Sequence, residues 1–259
     1  MLKNPHFFSL VMVGVIGGIL AGLFGVGGGV IMVPLLLWWA QLDQRRAQAT
    51  SLLAIAPAAL VGTASYATGG VFPFIPGLLV AGGSVLGAQL GAFVLRRLSL
   101  GWLRWTLIVF VASMAVTVMG SIPHRDVYIE LRIPAVMVLV GIGVVMGTAA
   151  GLFGVGGGII AIPLLMLLFG IGDLEAKGIS LAAMTPAAIS GSISHMVHQT
   201  AKTRDGLWVA LGALIATPIG SLGAFALPES YANTVFGAFA LTIAIMLTIR
   251  ALRSPRESN

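Results

Sequence analysis

The stretch AGLFGVGGGVIMVPLL, at residues 21–36, returns almost unchanged as AGLFGVGGGIIAIPLL at residues 150–165. Thirteen of the sixteen positions are identical, and the copies lie 129 residues apart in a chain of 259 residues. The same offset relates further identical pairs outside the stretch: Ser51 and Ser180, Pro57 and Pro186, Gly62 and Gly191, Ser65 and Ser194, Gly77 and Gly206, and Gly91 and Gly220. The chain is therefore a duplicated unit, and we predict a first repeat over 1–124 and a second repeat over 125–259.

The composition is that of a multi-pass membrane protein. Hydrophobic residues make up 58% of the chain and charged residues 8%, and the mean hydropathy is +1.04, far outside the range of soluble globular domains. The net charge is +6, and the basic residues lie at predicted helix ends, where they orient a protein in the membrane. We therefore predict a lipid bilayer and no nucleic acid as partner. Because the chain has no cysteine, thiolate sites are excluded, and we expect no metal and no cofactor.

The glycine run interrupts an apolar segment that is too long for one straight span. Residues 7–40 form a run of thirty-four uncharged residues, whereas one crossing needs about 20. Each glycine costs about 1 kcal/mol relative to alanine inside a helix, so we predict one half ending near Phe24 and another from about Val30 to Ala40. The second repeat has the same plan over 133–171. We also predict structural helix breaks at Pro34, Pro57, Pro163 and Pro186.

The remaining apolar segments predict helices at 48–68, 77–95, 102–119, 179–199, 207–227 and 231–250, so the fold is all-α. If each interrupted segment crosses the membrane once, the fourteen Lys and Arg residues divide eight to six between the two sides. If each is a re-entrant hairpin, they divide eleven to three. The positive-inside rule favours the uneven distribution. We therefore predict two inverted repeats, each a glycine-broken hairpin plus about three transmembrane helices, with both termini cytoplasmic.

The glycine runs also predict a binding site for an anion. A helix that resumes after the break exposes its first amide groups, and its dipole favours negative charge there. Successive glycine amides can form an anion-binding concavity without a cationic side chain. We predict that the substrate-binding residues are Gly27, Gly28, Gly29, Thr50, Ser51, Gly156, Gly157, Gly158, Ser180 and Thr185. Close helix packing by glycine, N-capping by serine or threonine, and hydrogen bonds to neighbouring helices remain alternative interpretations.

Enzymatic and proton-relay chemistry find little support in the sequence. The glycine run lacks the Lys-Ser/Thr that a phosphate-binding P-loop requires. Ser194 beside His195 merely repeats Ser65 at the internal offset, so we predict no intramembrane hydrolase and no catalytic residue. All eight acidic residues fall in predicted links or tails, including Asp173 and Glu175 in a link at 172–178, which leaves no membrane carboxylate for a relay. His195 and His198 are the only titrating candidates near the membrane, and we interpret them as interfacial.

The paired motif G-x-x-x-G-x-F-G-V-G-G-G…P, from Gly18 to Pro34 and from Gly147 to Pro163, precedes a serine-led, proline-containing helix in each half. In this the chain resembles the sulfite exporter TauE/SafE family over nearly its whole length. The resemblance implies a permease of the bacterial or archaeal inner membrane that exports sulfite, sulfoacetate or a related sulfur-containing anion. We accordingly expect a transporter that holds a small anion between the repeats and works by alternating access. A permease or channel for another small anion, an intramembrane enzyme and a homodimer are the alternatives left open.

One substitution follows from the predicted anion site. We expect Gly28→Val and Gly157→Val each to abolish transport while leaving the fold intact.

Overall fold

The computed structural model describes residues 5–42, 44–94, 129–153, 156–197 and 203–253, together with single positions between 105 and 119. Within these ranges every regular element is an α-helix, in agreement with the predicted fold class. We number the helices α1 (Pro5–Phe24), α2 (Gly29–Trp38), α3 (Gln44–Thr68), α4 (Phe74–Val94), α5 (Ile133–Phe153), α6 (Gly158–Phe169), α7 (Asp173–Val197), α8 (Thr203–Ala226) and α9 (Glu229–Arg253). The predicted span 102–119 and most of the loop 120–132 lie outside the described residues.

Both interrupted segments break at the glycines, as the sequence predicts. The two arms have unequal lengths: α1 has 20 residues and α2 has 10, and α5 has 21 and α6 has 12. At 1.5 Å per residue, α1 and α5 are each about 30 Å long, the thickness of the hydrocarbon core, while α2 and α6 reach only about half of it. Among the described helices, α1, α3, α4, α5 and α8 are long and apolar enough to cross a membrane.

After each break the chain folds back along the helix that it has just left. Gly28 lies against the carbonyl group of Gly17, two turns before α1 ends, and Met32 of α2 also contacts Gly17. In the second repeat, Gly157 lies against the carbonyl group of Met146 in the same way. Each long arm and its short arm therefore form a helical hairpin.

The long arm of each hairpin packs on a helix of the other repeat. Along α1, glycines spaced by four residues bring its backbone against α8, pairing Gly14 with Val209, Gly18 with Ala213 and Gly22 with Thr217. Along α5, the equivalent glycines meet α4, pairing Gly143 with Val80, Gly147 with Ser84 and Gly151 with Ala88. Every pair in one set becomes a pair in the other when 129 is added or subtracted. We call these contacts the two glycine seams; both lie within a single chain.

The equivalent helices α3 and α7 cross each other at the centre of the molecule. Tyr66 near the end of α3 lies beside Gly178 near the start of α7, and Gly62, one turn earlier, meets Leu181. Because the residue numbers fall along one helix as they rise along the other, α3 and α7 run antiparallel. Both helices bury residues completely at the crossing, so the core lies where the two repeats meet.

The structure corrects the prediction that four prolines break their helices. Pro34, Pro57, Pro163 and Pro186 all lie inside continuous helices. A proline removes one hydrogen bond to the carbonyl four residues earlier, and the turns on both sides keep their helical geometry. Within the described parts of the two interrupted segments, the long and short arms are separated at the glycine runs, where the backbone adopts conformations that a helix does not contain.

The predicted link 172–178 is also wrong, because it forms the first turns of α7. Asp173 and Lys177 are only 1% and 2% exposed. Asp173 is therefore an acidic residue buried in the helical core, although the sequence analysis placed every acidic residue in a link or tail. The error arose because three charges within five residues are typical of a solvated loop, whereas here Asp173 and Lys177 neutralise each other.

Candidate functional site

Glycine is required at both helix breaks by the shape of the backbone. Gly28 and Gly157 are the residues from which α2 and α6 begin, with φ angles of 70° and 75°. Gly25, Gly27 and Gly156 also have positive φ angles, of 68°, 73° and 89°. Side chains with a Cβ atom rarely adopt this left-handed region. We call residues 25–28 and 154–157 the first and second glycine loops; positions 154 and 155 lie outside the described residues.

The first turns of α2 and α6 carry amide groups that could bind an anion. The N–H groups of Ile31 and Met32 donate to the carbonyl oxygen of Gly28, at 3.1 and 2.9 Å. The amides of Gly29 and Val30 precede them and have no acceptor within the helix. The same pattern recurs at Gly157, whose carbonyl oxygen accepts from the amides of Ile160 and Ala161. The amides of Gly158 and Ile159 therefore also have no acceptor within the helix. Each pair stands at the positive end of its helix dipole.

The two glycine loops meet each other. The carbonyl oxygen of Gly25 would lie 2.8 Å from a Cβ atom added to Gly158, and the carbonyl oxygen of Val26 would lie 3.5 Å from one added to Gly156. The hydroxyl group of Ser180, on α7, donates a 2.9 Å hydrogen bond to the carbonyl oxygen of Gly25. Gly25, Gly158 and Ser180, which are distant in sequence, therefore share one place between the repeats.

The site is closed, because apolar side chains pack into the junction between the loops. The sulfur of Met184 contacts Gly27 and would lie 3.2 Å from a Cβ atom on Gly156, while Ile55 also reaches Gly27. Met184 and Ile55 are both completely buried. Sequence reasoning missed both residues, although the internal offset relates them and each follows its serine by one helical turn. All six predicted glycines are buried as well: Gly27, Gly28, Gly29, Gly156, Gly157 and Gly158.

The two equivalent serines are in different states. Ser180 uses its hydroxyl group on Gly25, whereas the hydroxyl group of Ser51 is completely buried and has no hydrogen-bond partner in the described part of the chain. Thr50 beside it is also buried. A buried hydroxyl group without a partner is unfavourable. The acceptor of Ser180 is Gly25, and the position equivalent to Gly25 in the second repeat is 154, which lies outside the described residues.

Thr185 and the histidines add less to the site. Thr185 is half-buried, and its hydroxyl group donates to the carbonyl oxygen of Leu181 in its own helix at 3.1 Å. This is the intrahelical role that the sequence left as an alternative. The side chains of His195 and His198 lie outside the described residues.

A buried ion pair lies beside the first glycine loop. Nζ of Lys177 donates to Oδ2 of Asp173 at 2.8 Å, and the two side chains are 3% and 2% exposed. The stem of Lys177 packs directly on Gly25. Sequence reasoning missed this pair; the signal available was the i,i+4 spacing of opposite charges at the start of a helix. Glu175, in the same turn, accepts a 2.8 Å hydrogen bond from the amide of Gly172 and so caps α7.

Tyr66 holds the end of the long arm in place. Its buried hydroxyl group donates a 2.7 Å hydrogen bond to the carbonyl oxygen of Gly22. The carbonyl groups in the last turn of a helix have no N–H donor within the helix. Tyr66, on the crossing helix α3, supplies a donor for one of them.

The structure corrects the expectation that valine at position 28 or 157 would leave the fold intact. A Cβ atom at Gly28 would collide with the carbonyl group of Gly17, and one at Gly157 would collide with that of Met146. Both positions also have positive φ angles. These substitutions would therefore disturb the hairpin itself.

Comparison with known proteins agrees with this architecture. The sequence model of the family "Sulfite exporter TauE/SafE" matches residues 2–118 and 139–259. The chain is 27% identical to "Probable membrane transporter protein YunE" of Bacillus subtilis, over 83% of this chain and 87% of that protein. It is 25% identical to a "Probable membrane transporter protein" of Xylella fastidiosa, over 92% and 93% of the two chains. No solved structure matches the chain. These matches describe membrane transporters and not enzymes, and with both halves matched the chain belongs to the sulfite exporter TauE/SafE family.

Proposed function

We propose that this transporter exports a small sulfur-containing anion, such as sulfite or an organosulfonate, across the cell inner membrane by alternating access. The observation that carries the proposal is the meeting of the two glycine loops, which brings the amide-bearing starts of α2 and α6 to one junction. Two positive helix ends at one place favour a negative ligand. The family description supports sulfite as the first anion to test.

The donors at the junction suit an oxyanion. The amides of Gly29 and Val30 come from one repeat and those of Gly158 and Ile159 from the other. We infer that the hydroxyl group of Ser51 adds a side-chain donor, because Ile55, one turn later on α3, reaches Gly27. An oxyanion has several acceptor oxygens and can accept from both repeats together. Backbone amides are fixed in direction, so binding them costs little side-chain entropy.

Binding requires the closed junction to open. Met184 and Ile55 now fill the space that an anion would share with the loops. The tight glycine seams tie α1 to α8 and α5 to α4 through backbone contacts. We infer that two composite bodies move apart, each consisting of one hairpin and the helix of the other repeat to which it is bound. The crossing of α3 and α7 lies between these bodies.

An inverted arrangement in the membrane is part of the proposal. The antiparallel course of the equivalent helices α3 and α7 supports it, because repeats related in this way face opposite sides. The charge distribution supports it too: once Lys177 is left out as buried, the Lys and Arg residues divide eleven to two. Both termini are then cytoplasmic.

Sulfite efflux from proteoliposomes containing the purified protein tests this function, with sulfate, chloride and a C2 sulfonate as competitors. Saturable sulfite flux that the sulfonate inhibits and chloride does not is the expected result. Folded protein that gives no flux above protein-free liposomes would overturn sulfite as the substrate. Flux of chloride or sulfate alone would instead identify a permease for another small anion.

A further inference from the structure

One face of α7 follows the first glycine loop from end to end. Asp173, Lys177, Ser180 and Met184 are spaced by four, three and four residues, which places them in one stripe along the helix. Lys177 packs on Gly25, Ser180 donates to the oxygen of Gly25, and Met184 contacts Gly27. The ion pair is thus continuous with the proposed anion site.

The equivalent stripe of the first repeat carries no charge. The internal offset places Gln44 at the position of Asp173, Gln48 at that of Lys177, Ser51 at that of Ser180 and Ile55 at that of Met184. Serine occupies the same position in both repeats, and an apolar residue, Ile55 or Met184, follows it at the same position. The charged pair occurs only in the second repeat. The first repeat thus has two glutamines in place of the charged pair of the second repeat.

We propose that Lys177 is the cationic residue that binds the transported anion, and that Asp173 is the counter-ion that holds Lys177 while the site is closed. The substrate anion and the Asp173 carboxylate compete for the same ammonium group. The arrangement keeps the closed site neutral, and a cation alone among buried side chains would be strongly unfavourable. An anion that enters between the loops replaces the carboxylate as the partner of Nζ. This inference rests on the proposed function.

The geometry allows this exchange. The stem of Lys177 is fixed against Gly25, while its ammonium group lies at the end of a flexible four-carbon chain. Asp173 lies one turn towards the start of α7, and Ser180 lies one turn the other way. Nζ can therefore turn from Asp173 towards the glycine loop once the junction opens.

The double variant Asp173→Gln/Lys177→Gln tests the proposal, because it gives the second repeat the residues of the first and removes both charges of the pair together. We expect it to fold and to raise the KM for sulfite at least tenfold. We also expect it to lose the rise in Tm that sulfite causes in the wild-type protein in detergent. The control Glu130→Gln/Arg132→Gln removes an exposed ion pair with 75–79% exposed side chains, and should keep the wild-type KM. A double glutamine variant with the wild-type KM and Tm shift would overturn the proposal.

A second variant keeps the test decisive if the double variant does not fold. Lys177→Arg keeps both buried charges, and its guanidinium group can hold the Asp173 carboxylate through two hydrogen bonds, so sulfite should raise the Tm of this variant by less than that of the wild-type protein. An equal or larger rise would overturn the proposal. The two failures differ: if no anion of the panel shifts the wild-type Tm or is transported, the proposed function falls and this inference with it. A wild-type response that both variants share removes only the role of Lys177.

Discussion

The hydroxyl group of Ser180 donates a 2.9 Å hydrogen bond to the carbonyl oxygen of Gly25, 155 positions earlier in the chain. This bond joins α7 of the second repeat to the glycine loop of the first. Its equivalent in the first repeat, Ser51, is just as buried, yet its hydroxyl group has no partner among the described residues. The position equivalent to Gly25 in the second repeat is 154, which lies outside the described residues.

Alanine at each serine should separate a structural role from a binding role. Ser180→Ala leaves the buried oxygen of Gly25 without its donor, at a cost of about 1–3 kcal/mol, so we expect a lower Tm. Ser51→Ala removes a buried hydroxyl group that has no partner among the described residues, so we expect a smaller fall in Tm than for Ser180→Ala and a raised KM for sulfite. Thermal unfolding in detergent and proteoliposome flux measure both effects. A wild-type KM in Ser51→Ala would remove this residue from the site.

The bond between Tyr66 and Gly22 predicts a purely structural effect. Tyr66→Phe keeps the ring and removes the donor to a buried carbonyl group, so the free energy of unfolding should fall by about 1 kcal/mol. Tyr231→Phe is the matched control, because Tyr231 is 63% exposed. Unfolding curves of both variants provide the comparison. Equal stability of the two variants would show that the hydrogen bond contributes nothing.

Gly28 at a helix break and Gly82 on an open helix face should respond in opposite ways to alanine. Gly28→Ala places a Cβ atom against the carbonyl group of Gly17 at a positive φ angle, so we expect a clear loss of stability. Gly82 lies inside α4 with no atom within 4 Å of an added Cβ atom, so Gly82→Ala should gain up to about 1 kcal/mol of helix propensity. Differential scanning fluorimetry measures both. A Tm for Gly28→Ala equal to that of Gly82→Ala would contradict the strained loop.

The membrane orientation of the repeats predicts an accessibility pattern. Since the chain has no cysteine, single cysteines at Glu130 and Arg204 can be labelled with an impermeant maleimide in intact cells. The hairpin topology places position 130 outside and position 204 inside, whereas a topology with two full crossings in place of the hairpins puts both inside. Labelling of position 130 alone is expected, and protection of both would contradict the inverted arrangement. Glu175, although near a predicted link, is unsuitable because it caps α7.

The sequence predicted most of the fold because its glycines act locally. A left-handed φ angle is a property of one residue, so the runs at Gly28 and Gly157 located both breaks within a residue or two. The packing of each long arm on a helix of the other repeat could not be predicted in the same way. Gly14 shows that some backbone approaches α1 closely, but nothing local identifies Val209 as the contact.

Sequence reasoning named the glycines and serines of the candidate site and missed its apolar and charged residues. The glycines and serines could be found because they are repeated at a fixed offset. Met184 and Ile55 are ordinary apolar residues by sequence, and they matter only because the antiparallel crossing of α3 and α7 brings them to the loops. The pair of Asp173 and Lys177 was assigned to a loop because sequence alone does not show that a charge is buried.

Because each long arm packs on a helix of the other repeat, the order of synthesis decides when each glycine seam can form. Val80 and its partner Gly143 are about 63 residues apart, so the contact between α4 and α5 can form soon after α5 leaves the ribosome. Gly14 and Val209 are about 195 residues apart, so at typical translation rates α1 waits roughly 10–40 s for its partner. During this interval the glycine face of α1 is in the membrane without the helix that it fits. The two interfaces are equivalent by the internal repeat, but the one that contains the first helix of the chain forms much later in synthesis.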